Sequence, residues 1–136
     1  MHVGVCRFTL LVPGSHSLKD RRASVRRLRD RVRQRFQIGL VEVGGQDTWQ
    51  RADLAFSVLT GSRDAAEAAV AQVLRFVQDQ GQGSVAAARS EVTSFGDDWY
   101  ADAAPVRIDA PAGDGDWVPA EWLAVDEAAG DGGDGG

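Results

Sequence analysis

The chain has little of what metal sites, disulfide scaffolds and hydrolytic centres are built from. Only one cysteine, Cys6, occurs among its 136 residues, so no intramolecular disulfide can form. Its apolar surroundings mark it as a small buried hydrophobe. The two histidines, His2 and His16, have no Cys or carboxylate at metal-ligand spacing, so neither a metal centre nor a cofactor is expected. Phosphate-cradling glycine loops and dinucleotide fingerprints are missing. Ser15, His16 and Ser17 are neighbours in one loop, which cannot form a catalytic triad, and Ser17 reads as a helix cap rather than a nucleophile. These absences argue against an enzyme. No stretch reaches the ~18 consecutive apolar residues of a membrane span. The first residues lack the basic and apolar regions of a signal peptide. A soluble cytoplasmic protein without a membrane partner is expected.

What is present is charge, unevenly placed. The net charge is −5, yet residues 1–96 hold fourteen basic and nine acidic side chains, and residues 97–136 hold Arg107 against eleven acids. The first part therefore carries +5 and the second −10. Length and composition fit one domain over residues 1–96 followed by an acidic tail over 97–136, rich in Gly, Ala and Asp and ending GDGGDGG. Such a composition cannot bury enough apolar surface to fold, and a disordered tail is expected. Trp99, Tyr100, Trp117 and Trp122 are out of keeping with it and suggest short docking segments with aromatic anchors.

Hydrophobic periodicity divides the first part. Residues 2–12 alternate, with Cys6, Phe8, Leu10 and Val12 on one face, and end at Pro13-Gly14. Residues 17–36 have helical spacing, with Ser17 as cap and Asp20 in an imperfect capping box. After Phe36 the period returns to two, with Ile38 and Leu40 in phase, and a strand runs to Val43 before Gly44-Gly45. Residues 52–60 form a third strand, 64–79 an alanine-rich helix and 85–95 a fourth strand. The order strand, helix, strand, strand, helix, strand predicts an α+β ferredoxin-like βαββαβ fold. Its antiparallel sheet would have four strands, the first and third central, with two helices on one face. The other face, with Arg7, Thr9, Gly39, Val41, Ser57 and Arg89, is left without a helix to cover it.

Residues 17–36 carry one lysine and eight arginines against Asp20 and Asp30. Leu18, Val25, Leu28, Val32 and Phe36 form an apolar stripe. At about 100° per residue, Lys19, Arg22, Arg26, Arg29 and Arg33 line up beside it, while Arg27 and Arg31 point away from the core. Solvated helices usually alternate acid and base at i,i+4. Here Arg22–Arg26, Arg27–Arg31, Arg29–Arg33 and Arg31–Arg35 repel, costing about 1–2 kcal/mol together at low salt. A helix that tolerates this is expected to meet an anion, and the arginine fork suits phosphate. Lys19, Arg22, Arg26, Arg29 and Arg33 are the candidate contacts. They would fix position on a nucleic acid without reading its sequence.

An aromatic stacking platform of the RRM kind needs rings on the open face of the first and third strands. Phe8 and Phe56 have the opposite parity, so RNA binding by charge and shape is favoured, with structured RNA ahead of a single-strand code. Arg7, Trp49, Arg51 and Arg89 are a second candidate partner surface. For the loop that holds Trp49 and Arg51 the structural reading is preferred: Asp47 caps the turn, Trp49 covers an edge of the core, and Arg51 pairs with Glu42.

Four stretches together carry a resemblance: V-G-V-x-R-x-x-L at residues 3–10, P-G-x-x-S-L-K-D-R-R at 13–22, F-Q-I-G-L-V-E-V at 36–43 and D-x-W-Q-R-A at 47–52. They resemble the YlxP-like family of small bacterial proteins, a domain of unknown function, over roughly residues 1–95. Arg21 stands where that family often has Lys, and the acidic tail exceeds the usual family length. The resemblance implies a ferredoxin-like fold, a cytoplasmic location and gene neighbourhoods shared with translation initiation and ribosome-maturation factors. It implies no established reaction.

The expected function is a non-catalytic protein that associates with structured RNA or a ribosomal subunit through its first helix, with a role in ribosome maturation or translation. The acidic tail would act as an internal competitor for the arginines. The alternative is a homodimeric interaction module joined through the open sheet face, the arginines being only solvated.

Overall fold

The computed structural model describes residues 1–44, 48–80 and 82–106. The elements run β1 (His2–Leu11), α1 (Leu18–Phe36), β2 (Val41–Gly44), β3 (Arg51–Thr60), α2 (Arg63–Asp79), β4 (Ser84–Ser94) and a short α3 (Asp97–Ala101). The strands lie in the order β2-β3-β1-β4 and every neighbouring pair is antiparallel. This is the expected ferredoxin-like arrangement, with β1 and β3 central. Met1–Asp102 form one compact unit. Among the described residues no helix is long and apolar enough to cross a membrane.

Alternation in the two central strands builds the core. Cys6, Phe8, Leu10, Leu54, Phe56 and Val58 are buried on the helix side, as side chains two apart must share a face. They meet Val25, Leu28 and Val32 of α1 and Val70, Val73 and Val77 of α2 in one cluster. Each full burial of such a side chain is worth about 1.5–3 kcal/mol of transfer free energy. Phe8 and Phe56 touch edge to face, ring centres 6.3 Å apart. Their rings therefore lie inside the core and offer no stacking platform.

Both long helices begin at a serine whose hydroxyl accepts a backbone N–H three residues on, Asp20 for Ser17 and Ala65 for Ser62. The Asp20 carboxylate returns to the N–H of His16, 3.2 Å away. The capping box thus closes one residue before its usual place. α1 ends at Gln37 in the left-handed region, φ 56°, with its N–H on the Arg33 carbonyl. Glycine normally takes that conformation; without one, the expected end at Phe36 rests on the change of period alone.

Two boundaries differ from expectation. β2 is four residues long and begins at Val41, with a register shift against β3. Ile38 and Leu40 lie before it and still pack on the core, which is why the alternation read as strand. The first residues of the acidic segment form α3, where the Trp99 ring packs on Phe95 with centres 5.2 Å apart. Trp117 and Trp122, the tail beyond residue 106 and Asp47 lie outside the described residues.

Candidate nucleic-acid interface

On α1 the five-residue flank forms as expected. Lys19, Arg22, Arg26 and Arg33 are exposed and Arg29 is half-buried. Among the described residues none of the five side chains makes an ion pair or a hydrogen bond. Arg27 and Arg31 occupy the opposite flank and lean toward the residues that end α2. The Arg27 Nε donates to Gln82 Oε1 and an Arg31 terminal nitrogen to Gln80 Oε1, each at 3.2 Å. They point toward α2's end rather than simply outward.

Arg21 is where the sequence reading fell short. It was one more charge on a basic helix, yet its surface is 1% exposed and it is the largest side chain so buried. Nε donates to the Arg51 carbonyl at 2.8 Å, and a terminal nitrogen pairs with the Glu42 carboxylate. One side chain thus ties α1 to β2 and β3. Arginine spreads its donors over separate nitrogens in a planar fork, which lets one side chain meet both acceptors, whereas lysine's donors share one nitrogen. The signal was present: 21, 25, 28 and 32 are spaced i, i+4, i+7, i+11, one face of a helix. Charge kept Arg21 off that face in the reading, although an arginine with an acid and a carbonyl in reach is an acceptable core residue.

The pairing expected between Arg51 and Glu42 gives way accordingly. Glu42 takes Arg21, and Arg51 takes Asp53, its terminal nitrogen 3.0 Å from Oδ2 and its Nε 3.2 Å from Oδ1. Arg7 lies 3.6 Å from Oδ2, and the Thr9 hydroxyl donates to Oδ1 at 2.7 Å. Asp53 is buried although it belongs to the open face, because these three groups close over it. The Arg51 hydrogen bonds, then that of Thr9, hold its pKa below the usual carboxylate value, against the opposing effect of burial. Gly44 makes room for the cluster, since a Cβ there would stand 3.0 Å from the Asp53 carboxylate.

The second group of candidates is only partly brought together. Arg7 stands directly across from Arg89 in the β1–β4 register. Arg7 and Arg51 share Asp53, while Arg89 has no ion pair among the described residues. Trp49 sits in the turn before β3 with about half its surface open, 49%, so it does not seal the core edge. The open face also exposes Val5, Val41 and Leu59. Among the described residues no group of three or more His, Cys, Asp or Glu could hold a metal ion.

A family model described as Protein of unknown function (DUF503) matches residues 3–90. Over 75 residues the chain is 32% identical to the Uncharacterized protein YlxP of Bacillus subtilis (strain 168). That alignment covers 55% of this chain and 82% of the relative. The matched region contains nearly all of β1 through most of β4 and every arginine of the two candidate surfaces, and the acidic segment lies beyond it.

Proposed function

The chain belongs to the family of Protein of unknown function (DUF503), and we propose that it is a non-catalytic cytoplasmic RNA-binding protein that docks on structured RNA or a ribosomal subunit through α1. One contrast supports this reading. Wherever an arginine serves the fold it has an acid: Arg21 with Glu42, Arg51 and Arg7 with Asp53, Arg63 with Glu67. The flank of Lys19, Arg22, Arg26, Arg29 and Arg33 has none among the described residues. Positive charge kept together without counter-charge costs helix stability, and a phosphate backbone would neutralise it. The gene neighbourhoods implied by the YlxP-like resemblance point the same way for the ribosome.

The experiment is a salt titration of binding to ribosomal RNA, together with co-sedimentation with ribosomal subunits at two salt concentrations. Five phosphate contacts predict that log K falls against log salt with a slope of roughly −3.5 to −4.5. Replacing Arg22, Arg26, Arg29 and Arg33 with Gln removes four of those contacts and most of the slope. A slope near zero for the parent protein, or one that the variant retains, rejects the reading.

A further inference from the structure

The two edges of the sheet differ in a way that matters for assembly. β2 is short and irregular, whereas β4 has eleven residues, mostly Ala and Ser. β4's one irregularity against β1 lies at Ala86, between the pairs Thr9↔Ala87 and Leu10↔Val85. Residues 87–94 are regular, and no other described element covers their outer side. Natural sheets normally blunt such an edge by shortness, lysine, proline or a bulge.

The hydrogen-bond phase of that edge can be read from its end. Phe95 N–H donates to the Met1 carbonyl and the Met1 amine donates to the Phe95 carbonyl, both at 2.8 Å. Antiparallel pairs alternate between bonded and non-bonded. Thr93, Glu91, Arg89 and Ala87, opposite Val3, Val5, Arg7 and Thr9, therefore spend their backbone groups on β1. Ala88, Ser90 and Val92 direct theirs outward.

A second copy adding to this edge about a two-fold axis must place open-face residues opposite open-face residues. Three registers satisfy that near the middle of the strand. One sets Arg89 against Arg89, another Glu91 against Glu91, and the register centred on Ser90 sets Arg89 against Glu91 twice. Both side chains are exposed, and neither has an ion pair among the described residues. In the Ser90 register the outward groups of Ala88, Ser90 and Val92 meet Val92, Ser90 and Ala88 of the second copy, three bonded pairs and about six backbone hydrogen bonds. Arg89 and Glu91 then fall in non-bonded pairs, where opposite side chains come closest. The bulge at Ala86 stays outside the paired run.

We propose that the β4 edge pairs with the β4 edge of a second copy, antiparallel about Ser90, joining two four-stranded sheets into one and making the protein a symmetric homodimer. The dimer joins through the strand edge and does not use the arginine flank of α1, so it stands or falls independently of RNA binding through α1.

Sedimentation equilibrium of the full chain over a range of concentrations tests it. The parent protein shows a monomer–dimer equilibrium. R89E or E91R alone places like charges across both symmetric contacts and weakens the dimer about tenfold, whereas R89E/E91R restores opposite charges and recovers most of the affinity. Ser90→Pro removes the central outward N–H from an edge where proline is tolerated. It abolishes the dimer while the circular dichroism and melting temperature stay those of the monomer fold. A parent that is monomeric throughout overturns the proposal. So does a dimer whose affinity ignores both single reversals, or one that the double reversal does not rescue. The exposed reversals keep the test decisive if Ser90→Pro does not fold.

Discussion

Asp53 shows how a single residue can be illegible in sequence and decisive in the structure. Its neighbours Ala52 and Leu54 are core residues, and its place in β3 sets it on the open face. Burial follows only once Arg7 and Thr9 come across from β1 and Arg51 folds back along β3. No spacing rule joins residues 7, 9, 51 and 53; the register does. Because the folded state holds the Asp53 pKa below its unfolded value, its stabilisation is fully present above the unfolded value of about 4 and is lost as pH falls through the folded one. Asp53→Asn should therefore lower the melting temperature at neutral pH and narrow the drop that the parent shows as pH falls below the unfolded value of about 4. Parallel acid titrations of the two proteins check this, and an equal drop in both would rule it out. Cys6, in contrast, was read correctly from its apolar setting: it is buried, and burial raises its thiol pKa.

Among the elements, α1 is the one in which stability and binding pull apart. The apolar stripe, the Ser17 cap and the cationic flank were all visible in the sequence, because each depends only on local spacing. The ends of α1, at the Ser17 cap and Phe36, were legible as well; the start of β2 was not, since Ile38 and Leu40 keep alternating before it. The unpaired flank carries a cost, and removing it should show a gain. Replacing Arg22, Arg26, Arg29 and Arg33 with Gln relieves two i,i+4 repulsions and should raise the melting temperature by about 3 °C at low salt. Thermal melts at low and high salt measure it, and the gain should shrink as salt rises. A loss of stability at low salt would mean that these arginines serve the fold after all. β4 has the reverse character: its alanines gave a weak strand signal, and most of its stability comes from β1 beside it. Gly83, just before it, is tightly constrained, since a Cβ there would collide with the Leu11 carbonyl.

For the whole molecule, opposite charges are separated along one chain. The sequence gives −7 for residues 107–136, eight acids and Arg107, against a basic first part. A tethered polyanion has an effective concentration on the order of mM, and under the proposed function it would compete with RNA phosphate for the same positive field. Under the proposed function, a chain ending at residue 106 should bind RNA more tightly and with a steeper salt dependence than the full chain. Titrations of both lengths against one RNA decide it, and equal affinities would remove the competitor role. The ferredoxin-like topology was legible at this scale because the switch of period from two to 3.6 and back recurs with turn residues between. The proposed pairing of β4 with a second copy could not be read that way, since it depends on which amides face outward.

The buried Arg21 has one further consequence. α1 is cationic on almost every side, so an α1 rolled by part of a turn would present a similar face to solvent. Position 21 adds a polar constraint to the one set by Val25, Leu28 and Val32, because any roll strands a buried guanidinium away from Glu42 and the Arg51 carbonyl. Arg21 acts as a key that fits one orientation. Truncating it to Ala leaves Glu42 without this cation and should cost about 3–5 kcal/mol. The pair of changes Arg21→Met and Glu42→Leu should melt near the parent temperature while the amide resonances of α1 broaden as the helix samples more than one seating. Sharp parent-like resonances in that double variant would show that the apolar stripe alone sets the angle of the helix.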